Sequence, residues 1–339
     1  MMAGAPELKS GSTDFFLCDF FDAIPKSDLG SMEHPLFSLS TRPDLRVLTY
    51  SHNGTEITVT PSVKGLATIH DKDILIYCIS QLMAALNAGR EVSRTVRLKA
   101  YDFMVATKRN TSGDGYRRLR DAFERLAGTR IVTNLATGPK DNLVEVTRGF
   151  GLIESWEIVR SSGKGRMVSV MVTLSEWLYR AVLGKSVLTL DRAYFTLRKP
   201  LERRIYELAR KHCGRQEAWR VSIETLFKKS GSASPRRVFR AMVRQMIVAD
   251  TLPEYVLTEE PGDILRVTPR DQSVVAEVGL SLTPDTLVTA RNMVPGADVY
   301  ALEAEWRRFW QRSGRQRLRN PDKAFLGWLS VRVSSDQNT

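Results

Sequence analysis

The order of apolar and polar positions predicts strands first and then a helix. Residues 15–70 have a strand-like pattern, and two β-prone runs flank Asn53-Gly54. Both residues of this pair tolerate positive φ, so the pair predicts a β-hairpin. From Asp71, apolar side chains recur every three or four residues until Gly89, which predicts a helix ending at this glycine.

The next segment predicts a winged helix. A short strand, RTVRLKA, precedes two helices, AYDFMVATK and YRRLRDAFERLAG, which are joined by the turn RNTSGDG. Two short helices joined by such a turn are typical of a helix-turn-helix. After Gly128 the runs TRIVTNL and NLVEVTRGFGLIESWEIV predict a β-hairpin around ATGPKD, the wing. MVSVMVTLSEWLYRAVL predicts one more strand and a helix.

The same order of elements recurs further along the chain. The successive runs are LRKPLERRIYELARKHCG (helix), AWRVSI (strand), IETLFKKSG (helix), SASPRRVFRAMVRQMIVA (helix) and EYVLTEEPGDILRVTP (wing). At the same step of both copies, Tyr116–Arg125 matches Pro235–Arg244 without gaps as a weak repeat. This match favours a duplicated winged helix.

The predicted fold class is therefore α+β, with tandem winged-helix domains and a small helical C-terminal extension. The predicted divisions are a flexible leader (1–14), an N-terminal winged-helix domain with an added β-hairpin (15–187), a second winged-helix domain (188–269), a polar linker (270–283) and the helical extension (284–339).

The charge balance indicates a polyanionic partner. Fifty Lys and Arg residues oppose 38 Asp and Glu residues, a formal net charge of +12. Such a surplus favours nucleic acid, because each phosphate that a cation neutralises releases counterions. Three cysteines without short spacing predict neither a disulfide framework nor a Cys-based metal site. The chain has no apolar run of membrane-spanning length, so we expect a cytoplasmic protein without membrane association.

The second helix of each helix-turn-helix carries the candidate DNA contacts. In the first, Tyr116, Leu119, Phe123 and Leu126 are predicted to face the core, which turns the arginines outward. That end of the second helix reaches base edges in a helix-turn-helix, and the arginine fork can bind guanine or phosphate. A merely solvated arginine face is the alternative for either helix alone. The candidate DNA-binding residues on these helices are Arg117, Arg118, Arg120, Arg236, Arg237, Arg240 and Arg244. Four more candidates lie just before the turns, where they could contact backbone phosphates: Lys108, Arg109, Lys228 and Lys229.

The C-terminal extension is rich in aromatic residues and arginine. We expect most of these rings to form a small helical core. The alternative is a surface that stacks on single-stranded DNA or docks a protein partner. The residues that would form it are Trp306, Trp310, Trp328, Arg307 and Arg308.

The sequence predicts no catalytic site, metal or cofactor. Four scattered histidines have no metal-ligand spacing. Gly184-Lys185-Ser186 resembles the end of a phosphate loop, but position 179 is Tyr179 instead of the required glycine. The enzymatic alternative is a nicking initiator that uses Tyr101, Tyr116 or Tyr194 as its nucleophile.

Several phrases resemble the replication initiator protein A family of bacterial plasmids. They are DFFLCDFFDAIPKSDLGSMEHPLFSLS, RVLTYSHNGTEITVTPS, ATIHDKDILIYCISQL and GYRRLRDAFERLAGTRIVTN, and the resemblance covers roughly residues 14–270. It implies binding to repeated origin sequences (iterons) through paired winged helices, melting of adjacent AT-rich DNA, and recruitment of the host initiator and replicative helicase. EAEWRRFWQRSG and NPDKAFLGWL are similar to the tail of primosomal DnaT-like and phage replication proteins, which act in helicase loading.

The predicted function is thus that of a non-enzymatic plasmid replication initiator bound to double-stranded origin DNA. The expected partners also include single-stranded DNA, host replication proteins and a second copy in a homodimer. A winged-helix transcriptional regulator that represses its own promoter is the alternative within DNA binding.

Overall fold

A computed structural model describes residues 15–20, 23–52, 54–134, 147–160, 167–214, 216–270, 282–294, 299–312 and 320–336. They form two compact units that divide between Pro269 and Arg270. Helices and strands alternate in the first unit and helices make up the second, which confirms the mixed α+β class. No helix of the described ranges is long and apolar enough to cross a membrane.

The first unit begins with a module that extends to Thr189, here called the first module. Its elements are β1 (Phe16–Leu17), β2 (Lys26–Asp28), α1 (Leu29–Glu33), β3 (Leu48–His52), β4 (Thr55–Thr60), α2 (Lys72–Asn87), β5 (Thr95–Lys99), α3 (Ala100–Ala106), α4 (Gly113–Gly128), β6 (Arg130–Thr133), β7 (Arg148–Gly151), β8 (Ile153–Arg160), β9 (Met167–Leu174), α5 (Glu176–Leu183) and β10 (Val187–Thr189).

The hairpin and the first long helix follow the sequence pattern. Strands β3 and β4 are antiparallel, with His52 opposite Thr55, and Gly54 has φ +75°, the left-handed region that glycine favours. This confirms the predicted hairpin. Helix α2 is buried on nearly all sides, because its apolar side chains form the centre of the module's core.

Part of the predicted hairpin after α4 is confirmed, because β6 and β7 pair antiparallel, but the second predicted strand does not continue through β8. Strand β6 pairs with β4 and β7, giving a sheet of order β3-β4-β6-β7. Strand β8 instead pairs with β9 in a sheet of order β1-β5-β9-β8. The chain changes sheets at the buried Leu152, inside a continuous β-prone run, so no turn residue marks the change. The predicted turn ATGPKD lies outside the described residues.

The second module follows a short 3₁₀ helix, Arg192–Thr196. Its elements are α6 (Pro200–Cys213), β11 (Trp219–Ser222), α7 (Ile223–Ser230), α8 (Arg236–Ala249), β12 (Tyr255–Glu260) and β13 (Ile264–Pro269). The antiparallel sheet has the order β11-β13-β12.

Both modules share one topology. In each module, a strand follows a long helix, a pair of helices comes next, and an antiparallel hairpin follows later in the chain. In each, the strand before the two helices pairs with the second strand of the hairpin, as β5 pairs with β9 and β11 with β13. The hairpin β8–β9 of the first module therefore takes the place that β12–β13 has in the second module.

Glycines shape the turns between the paired helices. A Cβ on Gly115 would lie 1.9 Å from the carbonyl oxygen of Asn110, so only glycine lets the turn before α4 close this tightly. Gly231 ends α7 at φ +69°, and a Cβ there would lie 2.5 Å from Pro35. Both positions therefore favour glycine, because a larger residue's side chain would not fit.

A buried ionic network joins the two modules. Lys72 Nζ at the start of α2 lies 2.8 Å from Glu207 Oε1 on α6, an ion pair without hydrogen-bond geometry, and both side chains are 1% exposed. Beside it, Arg203 Nη1 donates to Asp73 Oδ1 at 2.5 Å. Arg204 lies 3.5 Å from the same glutamate and donates to backbone carbonyls of α1. These buried contacts fix how the two modules are oriented.

The second unit is a small helical bundle. Its helices are α9 (Pro284–Met293), α10 (Val299–Arg312) and α11 (Pro321–Asp336). Its core is formed by Ala290, Val299, Trp306, Trp310, Phe325 and Leu329. All three helices lie within the helical extension that the sequence predicts over residues 284–339.

Candidate nucleic-acid interface

Helices α4 and α8 occupy the same place in the two modules and bury equivalent faces. Helix α4 buries Leu119, Ala122, Phe123 and Leu126, whereas α8 packs Phe239, Met242, Val243 and Met246. Adding 120 to the number of each of these α4 residues gives the equivalent residue of α8. The repeat noted in the sequence used an offset of 119, which is wrong by one residue because it put the exposed Val238 at the core position of Leu119.

The corrected register pairs arginine with arginine at two outward positions. Arg117 corresponds to Arg237, and Arg120 corresponds to Arg240. All four side chains are exposed. The two modules therefore present the same pair of cations at the start of the second helix of each helix pair.

The outward arginines of α4, Arg117, Arg118 and Arg120, form ion pairs with carboxylates of their own helix. Asp114 binds both Arg117 and Arg118, the latter at 2.7 Å, and Arg120 Nε lies 3.2 Å from Glu124 Oε1. Exposed pairs of this type contribute roughly 0–1 kcal/mol. These guanidinium groups can therefore exchange a carboxylate for a phosphate or a base edge at little cost.

The arginines of α8 form ion pairs with the neighbouring hairpin. Arg240 donates through two nitrogens to Asp263, in the turn of β12–β13, with Nε at 3.0 Å from Oδ1. Arg244 forms a second bidentate contact, with Nε 3.0 Å and Nη2 2.9 Å from the Glu259 carboxylate. The hydrogen bond from Arg244 lowers the pKa of Glu259 below its ordinary value.

Three other candidates also lie on the surface. Lys108 is exposed just before α4, with φ +54°. Lys228 and Arg236 are exposed and both pair with Glu224, at 3.6 Å and 2.9 Å. These cations border the start of α4 and α8, where a helix-turn-helix contacts the DNA backbone.

Two candidates point into the protein instead. Arg109 donates to the carbonyl of His70 and lies 3.2 Å from Asp73. Lys229 binds Glu33, which also accepts Lys211 at 2.6 Å. The carboxylates come from α1 and α2, far away in the sequence, so spacing alone gives no sign that these two cations serve the fold.

A cleft of about 480 Å³ opens beside the start of α4. The exposed Arg42 and Arg198 line it together with Arg118 and Asn110. The sequence gives no signal for Arg42 and Arg198, because one lies in the loop between α1 and β3 and the other between the modules. Aspartates of the cleft are already paired, as Asp71 accepts a bidentate contact from an arginine of α4.

The candidate nucleophiles of a nicking enzyme differ in accessibility. Tyr194 is fully buried, its hydroxyl donates to Glu207, and burial raises its pKa well above the ordinary value. Tyr101 is exposed, and Tyr116 is half-buried at the start of α4. Within the described ranges, no three His, Cys, Asp or Glu side chains are grouped to hold a metal ion.

In the second unit, burial divides the aromatic candidates. Trp306 and Trp310 belong to the core, at 3% and 7% exposure, whereas Trp328 is only half-buried. Arg307 pairs with the carboxylate four residues before it, and the side chain of Arg308 lies outside the described ones. Stacking by the first two tryptophans would therefore require the bundle to open.

The chain is similar to known proteins both in sequence and in fold. The chain is 38% identical over 247 residues to a protein of Wigglesworthia glossinidia brevipalpis described as "Putative replication protein", covering 71% of this chain and 88% of that one. In fold it is similar to a crystal structure of domains 2 and 3 of RctB, with a TM-score of 0.50 and 14% identity over 72% of this chain and 96% of that chain. A second RctB structure of domains 2–3 gives a TM-score of 0.44.

The family profile matches most of the first unit. Residues 26–257, which include α4 and α8, match the profile described as Replication initiator protein A. The profile match and the 38% identical relative assign the chain to this family by sequence. Its mixed α+β fold agrees with that of the RctB domains. The chain belongs to the Replication initiator protein A family, whose role is replication initiation.

Proposed function

We propose that this protein initiates plasmid replication by binding repeated origin sequences, the iterons, as double-stranded DNA. In this proposal both modules are winged helices, α4 and α8 are their recognition helices, and β8–β9 and β12–β13 are their wings. The observation that carries the proposal is the equivalence of Arg117 with Arg237 and of Arg120 with Arg240 on two helices that bury the same face. A solvated arginine face needs no such repetition.

Each recognition helix would use its arginines in two ways. The guanidinium fork matches O6 and N7 of guanine in the major groove and also matches phosphate. Lys108, Lys228 and Arg236 would hold the backbone beside the groove, and Arg42 and Arg198 would extend this phosphate track along the cleft. Because the buried network fixes the modules, the two contacts would be made at one constant separation.

The later steps of initiation would involve the second unit. Phe309 is half-exposed beside Trp328, with ring centroids 6.4 Å apart, and the Arg332 guanidinium lies 5.5 Å from the centroid of the Trp328 ring. An accessible ring pair with a cation suits either a melted strand or a host replication protein such as the initiator or helicase. We assign this unit to origin melting and recruitment.

We further propose that initiation proceeds without nicking of the DNA. Of the three tyrosines considered, Tyr194 has no access to a phosphodiester in this fold. Incubation with a supercoiled origin plasmid and Mg²⁺ tests the proposal. Intact supercoils are expected, and a covalent protein–DNA adduct would contradict it.

Binding to duplex DNA from the region that flanks the gene tests the main proposal. We expect the logarithm of affinity to fall with the logarithm of salt concentration with a slope of about −5 or steeper, because several phosphates are contacted together. Arg117→Ala with Arg120→Ala, and separately Arg237→Ala with Arg240→Ala, should each cost about 2–5 kcal/mol of specific binding.

The matched control is Arg180→Ala. Arg180 is an equally exposed arginine that pairs with a carboxylate of its own helix, but it lies on α5. This variant should bind like the unmodified protein. If both arginine pairs on α4 and α8 prove silent while the fold is intact, these helices do not contact DNA.

A further inference from the structure

The wing of the second module carries acidic residues where a DNA-binding hairpin would be expected to carry cations. Glu259 and Glu260 end strand β12, and Asp263 lies in the turn that follows. A phosphate backbone repels carboxylates, so their place next to the proposed recognition helix needs an explanation.

Two of these carboxylates bind the outward arginines of α8 in the way a phosphate would. Asp263 and Glu259 each accept two guanidinium nitrogens, from Arg240 and Arg244 respectively. Bidentate contacts of this kind use the same planar fork that recognises phosphate and are among the stronger hydrogen bonds of a protein. The two arginines are therefore held in a binding geometry before DNA arrives.

The described residues of the first module show no such arrangement. There Arg120, the equivalent of Arg240, makes a single 3.2 Å contact with Glu124 one turn along its own helix. Among the described residues, the acidic wing contacts are thus found in the second module. A feature present in one of two equivalent helices is more readily assigned to regulation than to the shared task of contacting DNA.

We propose that Glu259 and Asp263 act as internal substitutes for phosphate that weaken DNA binding by the second module, so that only DNA offering base contacts is held tightly. This inference rests on the proposed function of α8 as a recognition helix. Non-specific binding comes almost entirely from phosphate contacts, so it must compete with the two carboxylates for Arg240 and Arg244. A cognate sequence adds base contacts that compensate for the lost ion pairs, whereas an unrelated sequence does not.

The neighbouring Glu260 provides a matched control. Successive residues of a strand point to opposite faces of a sheet, and Glu260 accordingly pairs with Arg220 and Arg266 on the strands instead of with α8. Glu260→Gln therefore removes one negative charge from the same hairpin without releasing an arginine of the recognition helix. Any effect of overall charge appears in both variants.

The experiment measures the affinity of the full chain for an origin duplex and for an unrelated duplex of equal length. We expect Glu259→Gln with Asp263→Asn to bind the unrelated duplex about threefold to tenfold more tightly, since two exposed ion pairs no longer compete. Binding to the origin duplex should tighten by a similar factor, because the same two ion pairs are broken in that complex. Glu260→Gln should match the unmodified protein on both duplexes.

Two results would overturn the inference. If Glu260→Gln tightens binding to the unrelated duplex as much per removed charge, the effect is one of overall charge. If the double variant leaves both affinities unchanged or weakens them, the carboxylates do not compete with phosphate.

A double variant, Arg240→Ala with Arg244→Ala, distinguishes failure of this inference from failure of the proposed function. If that pair loses origin binding while the carboxylate variant is silent, only the inference fails. If the arginine pair itself is silent, α8 is not a recognition helix and both fail. The residues involved are exposed or only partly buried. Thermal unfolding should therefore be nearly unchanged in every variant, and it verifies that each one is folded.

Discussion

Glu207→Gln should strongly destabilise the first unit, because Glu207 is the central anion of the network between the modules. Its carboxylate lies 2.8 Å from Lys72 Nζ and 3.5 Å from Arg204 Nη1, and it accepts the Tyr194 hydroxyl at 2.8 Å. Glutamine has nearly the same shape but no charge. The substitution therefore leaves the Lys72 ammonium, which is 1% exposed, without a counterion.

The expected loss follows from the burial of both partners. Breaking a buried pair from one side costs about 3–5 kcal/mol, because an uncompensated charge remains away from water. For a unit of this size, such a loss corresponds to a fall in Tm of about 6–20 °C. Urea unfolding, followed by circular dichroism, gives the free energy directly.

Two further variants decide how the loss is interpreted. Glu260→Gln makes the same chemical change in an exposed pair and should cost less than about 1 kcal/mol. Lys72→Met combined with Glu207→Gln removes both charges and should recover a large part of the loss. If Glu207→Gln proves as mild as Glu260→Gln, the network is open to water and does not fix the modules.

Three other outcomes are expected. Gly115→Ala should destabilise the turn before α4 and weaken DNA binding, because its Cβ would lie 1.9 Å from the Asn110 carbonyl oxygen, and wild-type unfolding curves would contradict this. Burial lowers the pKa of His34 and of His70 to about 4 from the ordinary 6.5, so the unfolded chain binds more protons between these values. Stability should therefore fall by roughly 1–3 kcal/mol as pH drops from about 6.5 to 4, and His70→Asn should flatten the urea-measured profile. Truncation after Val274 removes the helical bundle but leaves the first unit complete, so gel-shift affinity for duplex origin DNA should stay within about twofold; a large loss would assign duplex binding to the bundle.

Local patterns in the sequence predicted the elements that depend on local physics. The apolar spacing of α4 gave its buried face correctly at Leu119, Phe123 and Leu126, and Asn53-Gly54 gave the hairpin. Both depend on residues a few positions apart. The outward direction of the arginines on α4 follows from the same helical period.

Features that depend on distant partners were not predicted. Pairing of β7 and β8 in different sheets depends on which strands they meet, and Leu152 between them carries no turn signal. Arg109 looked like a surface cation because its partner Asp73 lies in another helix. The repeat register was wrong because identical letters at an offset of 119 outweighed the buried positions, which only the packing reveals.

A footprint on origin DNA with base resolution tests the central claim most directly. If α4 and α8 are recognition helices on a rigid frame, each repeat should show two protected major-groove patches at one constant separation. Arg117→Ala with Arg120→Ala should erase one patch, and Arg237→Ala with Arg240→Ala should erase the other. The claim of two rigidly joined DNA-binding modules would be contradicted by either of two results. Both variants could leave the protection intact, or the separation of the patches could vary between repeats.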